Sequence, residues 1–564
     1  MFTKSYSRFC LPLLFIALSA ISNPAQNSRS NFDRDRSYDV QHYIIRVSFD
    51  RERKTVFGDT TVRLKPLDGN FNRVKLDAAD GMNFESVKLE SDNRNLKYKK
   101  SAEKIFVNLD KDYAPNDLIS LRFKYSVKPD KGVYFVDADK ENGEIVRAAQ
   151  IWTQGEPEEA HFWFPSYDFP DDKATSEEFI TVQKDETAIG NGEQLETVEN
   201  DDDTKTFHFK MPVPHSAHLT SFVVGNYIKV GDSYKNIPLG FFMYPGTEAL
   251  AQRKYGKTKE MMRVYEELTG VNFPYNKYDQ TIVAKFSFGG MENITATTMS
   301  DVEILMSSDN LVEDLVSHEL AHSWFGNLVT CRNWAEVWLN EGFATYMEAA
   351  YREKIYGRAD YLRKVRADAA EFMASDAVSD NEHALYNQAA RPDDSLFDAT
   401  AYQKGSAVIH TLRETVGTEN FWKAINVYLN RHKFQTVETR DLQKAMEEVS
   451  GVNLERFFRQ WVYGSGYPKL NVKQVYNPSS RQLDLIITQT QSGDKSTPEA
   501  FVLPMDIEIT TANGTRTEKI TIKKREENFS FGVDNAPTKI VFDRDEKIPL
   551  KTVKIQPLAM AKGK

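Results

Sequence analysis

The sequence predicts a multidomain α+β protein, with an N-terminal antiparallel β domain, a central α/β domain and a small C-terminal β-sandwich. At 564 residues the chain is too long for one hydrophobic core. Short alternating runs with Gly, Asn and Asp turns extend from about residue 38 to residue 227, and helical periodicity then dominates to about Trp461. After a Gly- and Pro-containing break at residues 464–468 the strand pattern returns. We place the domains at residues 31–233, 234–466 and 467–553, followed by a tail at 554–564.

The N-terminus differs in composition from the rest of the chain. Lys4 and Arg8 precede an apolar run over residues 9–21, and small residues at its end offer a cleavage site. The run is too short for a comfortable membrane span. We predict a signal peptide at residues 1–22 and an exported protein, periplasmic or secreted, without stable membrane insertion after cleavage. An uncleaved N-terminal anchor is the alternative.

The charge balance of the chain is acidic. The full sequence has 72 basic and 82 acidic residues, a net charge of −10, and loss of Lys4 and Arg8 with the signal peptide would make it −12. An acidic exported protein is a poor nucleic-acid binder, so we expect no nucleic-acid partner. Cys331 is the only cysteine outside the signal peptide, which excludes an intramolecular disulfide and favours a packing role.

Two polar features of the first domain are interpreted as structural. His215 and His218 lack an acid or a cysteine at useful metal-ligand spacing. An acidic cluster at residues 199–203 falls between two alternating runs, which predicts a solvated hairpin tip.

The residues that indicate chemistry begin on one helix of the central domain, predicted from apolar residues at helical spacing. His318 and His322 stand there at positions i and i+4, so that both imidazoles can reach one metal ion. Glu319, one residue along, can then act on a water that the metal activates and not on the metal itself.

A third metal ligand has to come from elsewhere, because a catalytic zinc needs three protein ligands and one open position. A second predicted helix, over about residues 335–355, carries Glu341 after eighteen intervening residues, on the same face as Glu348. Glu341 is well placed to be that ligand. Phe325 and Leu328 stand where another zinc class would need Gly and His, which excludes that class. The alternative is that both histidines are ordinary surface or core residues.

This pattern resembles the gluzincin signature of the aminopeptidase N family of zinc aminopeptidases. It consists of His318 and His322, with Glu319 between them and Glu341 after eighteen further residues. A second motif of that family stands upstream, at residues 289–293, as Gly-Gly-Met-Glu-Asn. Its Gly-Gly opening is similar to the branch that contains leukotriene A4 hydrolase. The resemblance implies a thermolysin-like fold for residues 234–466 and one Zn²⁺ per chain, held by the two histidines and Glu341.

The resemblance also implies which residues hold the free amine of a substrate. In the family, a Gln-x-Glu element of the N-terminal domain reaches the active site, and Gln154 and Glu156 match it. Glu156 and Glu292 would pair with the ammonium, and Gln154 would line the pocket. Because an unpaired buried charge is costly, such a pair would select free N-termini and reject blocked ones. The chain departs from the family pattern beyond this element, at His161, Ser166 and Phe169.

The glycine motif lets the backbone come close to a ligand, since no side chain stands in the way. In the family this segment is an edge strand that pairs with the substrate main chain. The resemblance implies that four residues of this segment bind the substrate: Gly289, Gly290, Met291 and Asn293. Phe288 would form an apolar wall for the side chain of the substrate's first residue.

A tyrosine completes the site that the resemblance implies. The family carries it in a Tyr-x-Lys-Gly context after the third ligand, and Tyr402 matches that context. Its hydroxyl would donate a hydrogen bond to the oxyanion, and Glu319 would be the general base. The alternative is a core tyrosine with a satisfied hydroxyl.

These residues predict a zinc-dependent aminopeptidase that removes the N-terminal residue from peptides with a free amine. A zinc endopeptidase on the same site would have no use for the two anchoring acids. An epoxide hydrolase of the Gly-Gly branch carries a second Gln where this chain has Glu156. A non-catalytic binding scaffold would lack a metal ligand or the base, and none is missing. No oligomeric state is predicted.

Overall fold

The computed structural model describes residues 34–378, 382–389, 391–493 and 496–561. The predicted signal peptide, residues 1–22, lies outside them. Within the described residues no helix is both long enough and apolar enough to span a membrane. The chain forms a β region, a mixed α/β region and a second β region in succession. The predicted α+β architecture is confirmed.

The first region consists of strands, with only short 3-10 turns between them. The strands are β1 (Tyr38–Asp50), β2 (Thr55–Pro66), β3 (Phe71–Asp77), β4 (Asn83–Leu89), β5 (Arg94–Asn95), β6 (Tyr98–Lys100), β7 (Lys104–Tyr113), β8 (Ile119–Val127), β9 (Val133–Val136), β10 (Asp139–Glu141), β11 (Glu144–Arg147), β12 (Gln150–Thr153), β13 (Ala174–Gln183), β14 (Thr187–Ile189), β15 (Glu193–Glu199), β16 (Thr204–His215) and β17 (Val223–Gly225). The largest sheet has the order β15-β16-β13-β1-β2-β8-β4-β5, and a second has the order β14-β17-β12-β9. Pairing is antiparallel as predicted, except that β1 pairs with β13 in parallel.

Alternation of buried and exposed residues along each strand explains how the large sheet packs. In β8 every second residue from Ile119 to Val127 is buried, whereas Arg122 and Lys124 are exposed. The acidic cluster predicted to be a hairpin tip lies at the end of β15 and in the turn before β16. The sheet therefore buries one face and keeps its charged tip in solvent.

The central region contains a five-stranded sheet in the order β18-β19-β20-β22-β21. Its strands, with a parallel pair further along the chain, are β18 (Ile228–Tyr234), β19 (Ile237–Met243), β20 (Tyr278–Val283), β21 (Gly290–Met291), β22 (Ala296–Ser300), β23 (Val329–Cys331) and β24 (Gln435–Val437). The glycine motif supplies β21, which pairs only with β22 among the described strands and lies at the edge of the sheet.

Among the described residues of this region there are ten α-helices: α1 (Ala251–Tyr255), α2 (Thr258–Thr269), α3 (Asp301–Met306), α4 (Asp309–Ala321), α5 (Trp338–Tyr356), α6 (Arg358–Asp376), α7 (Gly405–Val416), α8 (Thr418–His432), α9 (Thr439–Ser450) and α10 (Glu455–Trp461). The helices predicted around residue 318 and over residues 335–355 correspond to α4 and α5. The helical run before β20 is divided at Gly256 into α1 and α2, because glycine is a poor helix former.

Two predicted boundaries differ from the structure. The break at residue 233 falls inside the hairpin of β18 and β19, so β18 belongs to the central sheet and not to the first domain. Within the expected tail from residue 554, residues 554–555 and 559–560 belong to strands. Residues 552–555 and 559–560 pair in parallel with the first strand of the last domain, which satisfies backbone groups that would otherwise be exposed at its edge.

The last region is a two-sheet sandwich. Its strands are β25 (Lys469–Asn477), β26 (Gln482–Gln489), β27 (Leu503–Thr511), β28 (Gly514–Ile522), β29 (Glu526–Gly532), β30 (Lys539–Phe542), β31 (Thr552–Ile555) and β32 (Ala559–Met560). One sheet has the order β29-β26-β25-β31 and the other β28-β27-β30. A two-residue turn, Ala512 and Asn513, joins β27 and β28, because Thr511 pairs with Gly514.

Candidate active site

Two helices bring the three candidate metal ligands together. His318 lies in the last turn of α4, His322 caps that helix, and Glu341 lies in the first turn of α5. Glu341 Oε2 is 3.3 Å from His318 Nε2 and 3.5 Å from His322 Nε2. All three side chains are buried.

The spacing of these atoms fits a zinc site. Ligand atoms about 2.0–2.1 Å from a tetrahedral centre lie about 3.3–3.4 Å apart, close to the observed separations. Two imidazoles and one carboxylate form a donor set of catalytic zinc centres. Burial acts to lower the pKa of His318, but hydrogen bonds to Glu341 and Glu348 outweigh it and raise the pKa to about 9. The negative surroundings of the imidazole thus favour a cation.

Each imidazole is held at its other ring nitrogen. His318 Nδ1 lies 2.9 Å from Glu348 Oε1, and His322 Nδ1 lies 2.9 Å from the carbonyl oxygen of Phe325. When these nitrogens donate, both Nε2 atoms direct lone pairs toward Glu341. Two lone pairs and a carboxylate oxygen that converge in this way repel one another unless a cation lies between them.

Glu319 stands beside the triad. Its side chain is buried, and none of the described residues donates a hydrogen bond to its Oε2. A Cβ at Gly290 would lie 2.3 Å from Glu319 Oε1, so that only glycine lets β21 pass this close. Burial raises the pKa of Glu319 to about 8, although His318 and His322 oppose the shift. A carboxyl group with a pKa near neutrality can both accept and return a proton.

Two further acids face the same space from different domains. Glu156 lies in the loop after β12, and Glu292 directly follows β21. One carboxylate oxygen from each lies within 4.8 Å of one from Glu341. Burial raises the pKa of Glu156 well above its usual range, and the neighbouring Glu292 adds to the rise. Gln154 lies beside them, with its Nε2 3.2 Å from the sulfur of Met291.

The loop that carries Glu156 is fixed by close packing. A Cβ at Gly155 would lie 2.1 Å from the carbonyl oxygen of His218, so glycine is required there. The His218 ring packs edge-on against Trp334, and burial lowers the pKa of this histidine to about 3. His215 is likewise buried, and burial lowers its pKa to about 4. Both rings are therefore neutral packing groups.

Tyr402 reaches the site from a single π-helical turn, Thr400–Lys404, directly before α7. Its ring stacks on that of His318, with centroids 5.7 Å apart and planes 10° from parallel. Burial raises the pKa of Tyr402 well above its usual range, so its hydroxyl remains a donor. A π turn inside a helix is a feature that often marks functional sites.

These residues line one cavity of about 480 Å³. Together with Tyr402, eleven other predicted site residues line this cavity: Gln154, Glu156, Phe288, Gly289, Gly290, Met291, Glu292, His318, Glu319, His322 and Glu341. Asn293 does not reach it. Its side-chain amide donates to Thr298 Oγ1 on the neighbouring strand β22, at 3.0 Å, and its contact with substrate stays a prediction.

The cavity also contains residues that no sequence motif identified. They are Leu315, Glu348, Glu371, Phe397, Asp398, Ala399 and Gln403. None of the described lining residues is Lys or Arg, so the wall is acceptor-rich and electronegative. Helical spacing placed Glu348 near Glu341, but residues 397–399 lie in an irregular segment with no periodic signal. Their position depends on the fold of the segment between α6 and α7.

Two models of one family match most of the first β region and most of the central region. The model described as the Peptidase M1 N-terminal domain matches residues 39–219, and that of the Peptidase family M1 domain matches residues 253–461. The chain belongs to peptidase family M1. A third model, a domain of unknown function (DUF3458) with an Ig-like fold, matches residues 466–544 of the sandwich.

Individual M1 relatives extend the similarity beyond single domains. Aminopeptidase 2 of Candida albicans is 25% identical over 95% of this chain and 60% of its own length. Human glutamyl aminopeptidase is 29% identical over 69% of this chain and 42% of its own length, and that of Bitis rhinoceros is 31% identical over 66% and 40%. The chain therefore spans between 40% and 60% of the length of these relatives.

Proposed function

We propose that this M1 protein is a zinc-dependent aminopeptidase that removes the N-terminal residue of peptides. The observation that carries the proposal is the position of Glu156 and Glu292. Both are buried, both face the three converging ligand atoms, and no lysine or arginine among the described lining residues neutralises them. A free α-ammonium supplies the missing positive charge at a fixed distance from the metal ligands.

In this proposal His318, His322 and Glu341 hold one Zn²⁺. When bound, the ion supplies a Lewis acid that polarises the scissile carbonyl and makes water a better nucleophile near neutral pH. Glu319 accepts the proton of the attacking water and returns it to the leaving amine. Tyr402 donates a hydrogen bond to the developing oxyanion. The position of its ring beside that of the candidate ligand His318, with centroids 5.7 Å apart, supports this role.

The same cavity suggests how the substrate is held. The edge strand β21 has free backbone groups on its outer side among the described strands, so the substrate main chain can add to it as a further strand. Phe288 and Phe397, whose ring centroids are 6.0 Å apart, form an apolar wall. We expect large apolar first residues to be favoured. Acidic first residues are disfavoured, because the described wall contains no cation.

The main competing function is a zinc endopeptidase on the same residues. Such an enzyme needs the metal ligands and Glu319 but gains nothing from two buried acids beyond the scissile bond.

In this proposal the activity lies outside the cytoplasm, because the sequence predicts a signal peptide.

The test is a panel of fluorogenic aminoacyl amides, each supplied free and N-acetylated, with and without a chelator. We expect cleavage of the free amides only, loss of activity with chelator and recovery on addition of Zn²⁺. Equal cleavage of the acetylated forms would reject the aminopeptidase and favour the endopeptidase. No turnover by a protein that binds zinc stoichiometrically would favour a binding scaffold.

A further inference from the structure

We propose that Lys364 is a positioning residue that fixes the metal ligand His318 and the turn of Tyr402 in register with one another. It does so at the centre of a buried chain of hydrogen bonds and ion pairs that crosses four helices. The inference rests on the proposed metal site but not on the peptide substrate.

The chain begins at the metal ligand. His318 Nδ1, on α4, lies 2.9 Å from Glu348 Oε1 on α5. The other oxygen of that carboxylate, Glu348 Oε2, lies 2.9 Å from Lys364 Nζ on α6. One oxygen of the Glu348 carboxylate therefore contacts His318, and Lys364 holds the other oxygen.

The chain continues from Lys364 to the turn that carries the tyrosine. Lys364 Nζ lies 2.7 Å from Asp368 Oδ1, and Ser406 Oγ donates to Asp368 Oδ2 at 3.0 Å. Ser406 is the second residue of α7, one turn after Tyr402. Because Tyr402 stacks on His318, the two ends of the chain meet again across the cavity.

The simpler explanation is that Lys364 and Asp368 form an ordinary i, i+4 pair on the surface of α6. The burial of its partners argues against it, since the side chains of Asp368 and Glu348 are 2% and 10% exposed and that of Lys364 is 17% exposed. Lys364 also contacts two acids on different helices. Without its charge these two buried carboxylates would repel each other, and Glu348 would be drawn away from His318 Nδ1.

The decisive variant is Lys364→Met, which keeps the length of the side chain and removes its charge. We expect zinc affinity, measured on the metal-free protein by competition with a chromophoric chelator, to fall by about 10–100-fold. The visible spectrum of the Co²⁺-substituted protein should change, because the angle of His318 changes. With free aminoacyl amides, kcat should fall while KM stays close to that of the wild type, since Glu156 and Glu292 are untouched.

The matched control is Lys354→Met, an exposed lysine on α5 that pairs with Glu267. It should leave zinc affinity and the Co²⁺ spectrum unchanged. Lys364→Met values equal to those of the control would overturn the proposal and leave Lys364 a structural residue. Metal binding is read without substrate, so this result is independent of whether the aminopeptidase proposal holds.

Two milder variants decide the matter if Lys364→Met does not fold, as judged by circular dichroism. Lys364→Arg keeps the charge and should retain most of the zinc affinity. Ser406→Ala removes only the last hydrogen bond of the chain and should weaken zinc binding by about threefold. Unchanged zinc binding in Ser406→Ala together with normal folding would overturn the link to the Tyr402 turn.

Discussion

Glu319 is surrounded differently from the other acids of the cavity. Glu341 faces two imidazole nitrogens, and Glu348 contacts both His318 and Lys364. Glu319 is equally buried, yet among the described side chains nothing donates to its Oε2. An acid that is adjacent to the ligands and has a free oxygen is suited to move a proton and not to hold a metal.

We therefore predict that Glu319→Gln lowers kcat by about 10²–10⁴-fold while zinc remains bound. The amide fills the same volume but cannot accept the proton of water. Steady-state kinetics and metal analysis of the purified variant provide the measurement. Glu303→Gln, an exposed acid on α3, is the control and should behave as wild type. Activity of Glu319→Gln within tenfold of wild type would contradict the assignment.

A second prediction at this scale concerns the hydroxyl of Tyr402. Tyr402→Phe keeps the ring that stacks on His318 and removes the donor. We expect kcat to fall by about 10²–10³-fold with little change in KM, because the hydrogen bond forms mainly in the transition state. Equal losses of kcat and zinc affinity would instead indicate a packing role for the ring.

The third residue-scale prediction concerns pH and lies far from the metal ligands. Glu178 is buried in the first domain, where its Oε2 accepts from the backbone N–H of Asn191. Burial raises the pKa of Glu178 to about 8. The folded state therefore keeps a proton that the unfolded chain loses above about pH 4.3, and stability falls as pH rises from there to about 8.

Glu178→Gln should remove this dependence, since the amide is neutral at all pH values and can still accept from Asn191. We expect melting temperatures equal to wild type at pH 4.5 and higher than wild type by roughly 4 °C at pH 8.5. Differential scanning calorimetry at both pH values gives the comparison. A constant difference between the two proteins across this range would show that Glu178 does not hold the proton.

At the scale of elements, the helices α5 and α7 approach unusually closely beside the site. A Cβ built at Gly342 would lie 2.9 Å from the Cα of Gly405, and one at Gly405 would lie 2.8 Å from the Cα of Gly342. Both glycines adopt helical conformations, so the contact and not the backbone dihedral requires them. The contact places Glu341, next to Gly342, opposite the turn of Tyr402.

Gly342→Ala tests this contact. Helix propensity alone would predict a gain of about 1 kcal/mol, whereas overpacking costs about 1–3 kcal/mol. We expect the cost of overpacking to exceed the gain in helix propensity. The variant should therefore have a lower melting temperature and weaker zinc binding. Gly231→Ala, where an added Cβ meets no atom within 4 Å, is the matched control. A stabilised Gly342→Ala with normal zinc affinity would show that the helices can separate without cost.

At the scale of the whole molecule, the cavity is assembled from two domains. Glu156 comes from the β domain and the remaining acids from the central domain. The interface is held by buried polar bonds: Trp152 Nε1 donates to the carbonyl oxygen of Ala284, and Gln150 Oε1 accepts from the Ala284 N–H. Ala284 directly follows β20 and begins the segment that leads to the glycine motif.

Trp152→Phe should weaken this domain interface near Ala284, on the side of the edge strand β21. The variant leaves the Ala284 carbonyl without its donor and reduces the stacking on Tyr134, whose ring centroid is 4.3 Å away. We expect a loss of about 1–3 kcal/mol in stability and a rise in KM larger than the fall in kcat. Trp422→Phe, a half-buried tryptophan on α8, is the control. A variant with altered kcat and unchanged KM would contradict this.

Short-range patterns in the sequence are enough to predict the local elements of the site. The i, i+4 pair of histidines requires only helix geometry, and the spacing to Glu341 and the glycine motif resembled one family closely enough to imply the anchoring acids. Alternation likewise predicted the β regions, although the parallel pairing of β1 with β13 and the strands beyond residue 551 were missed. Such pairings join segments far apart in the chain, and no short-range pattern records them.

The surroundings of those motifs depend instead on how the whole chain packs. The link from His318 through Lys364 to Ser406, the acids Glu371 and Asp398 of the cavity, and the exclusion of Asn293 from it depend on how helices and irregular segments pack. Periodicity specifies which face of an element is buried, but not which element covers it. Contacts between distant residues arise from packing of the complete chain, and the charge of the cavity is set by those contacts.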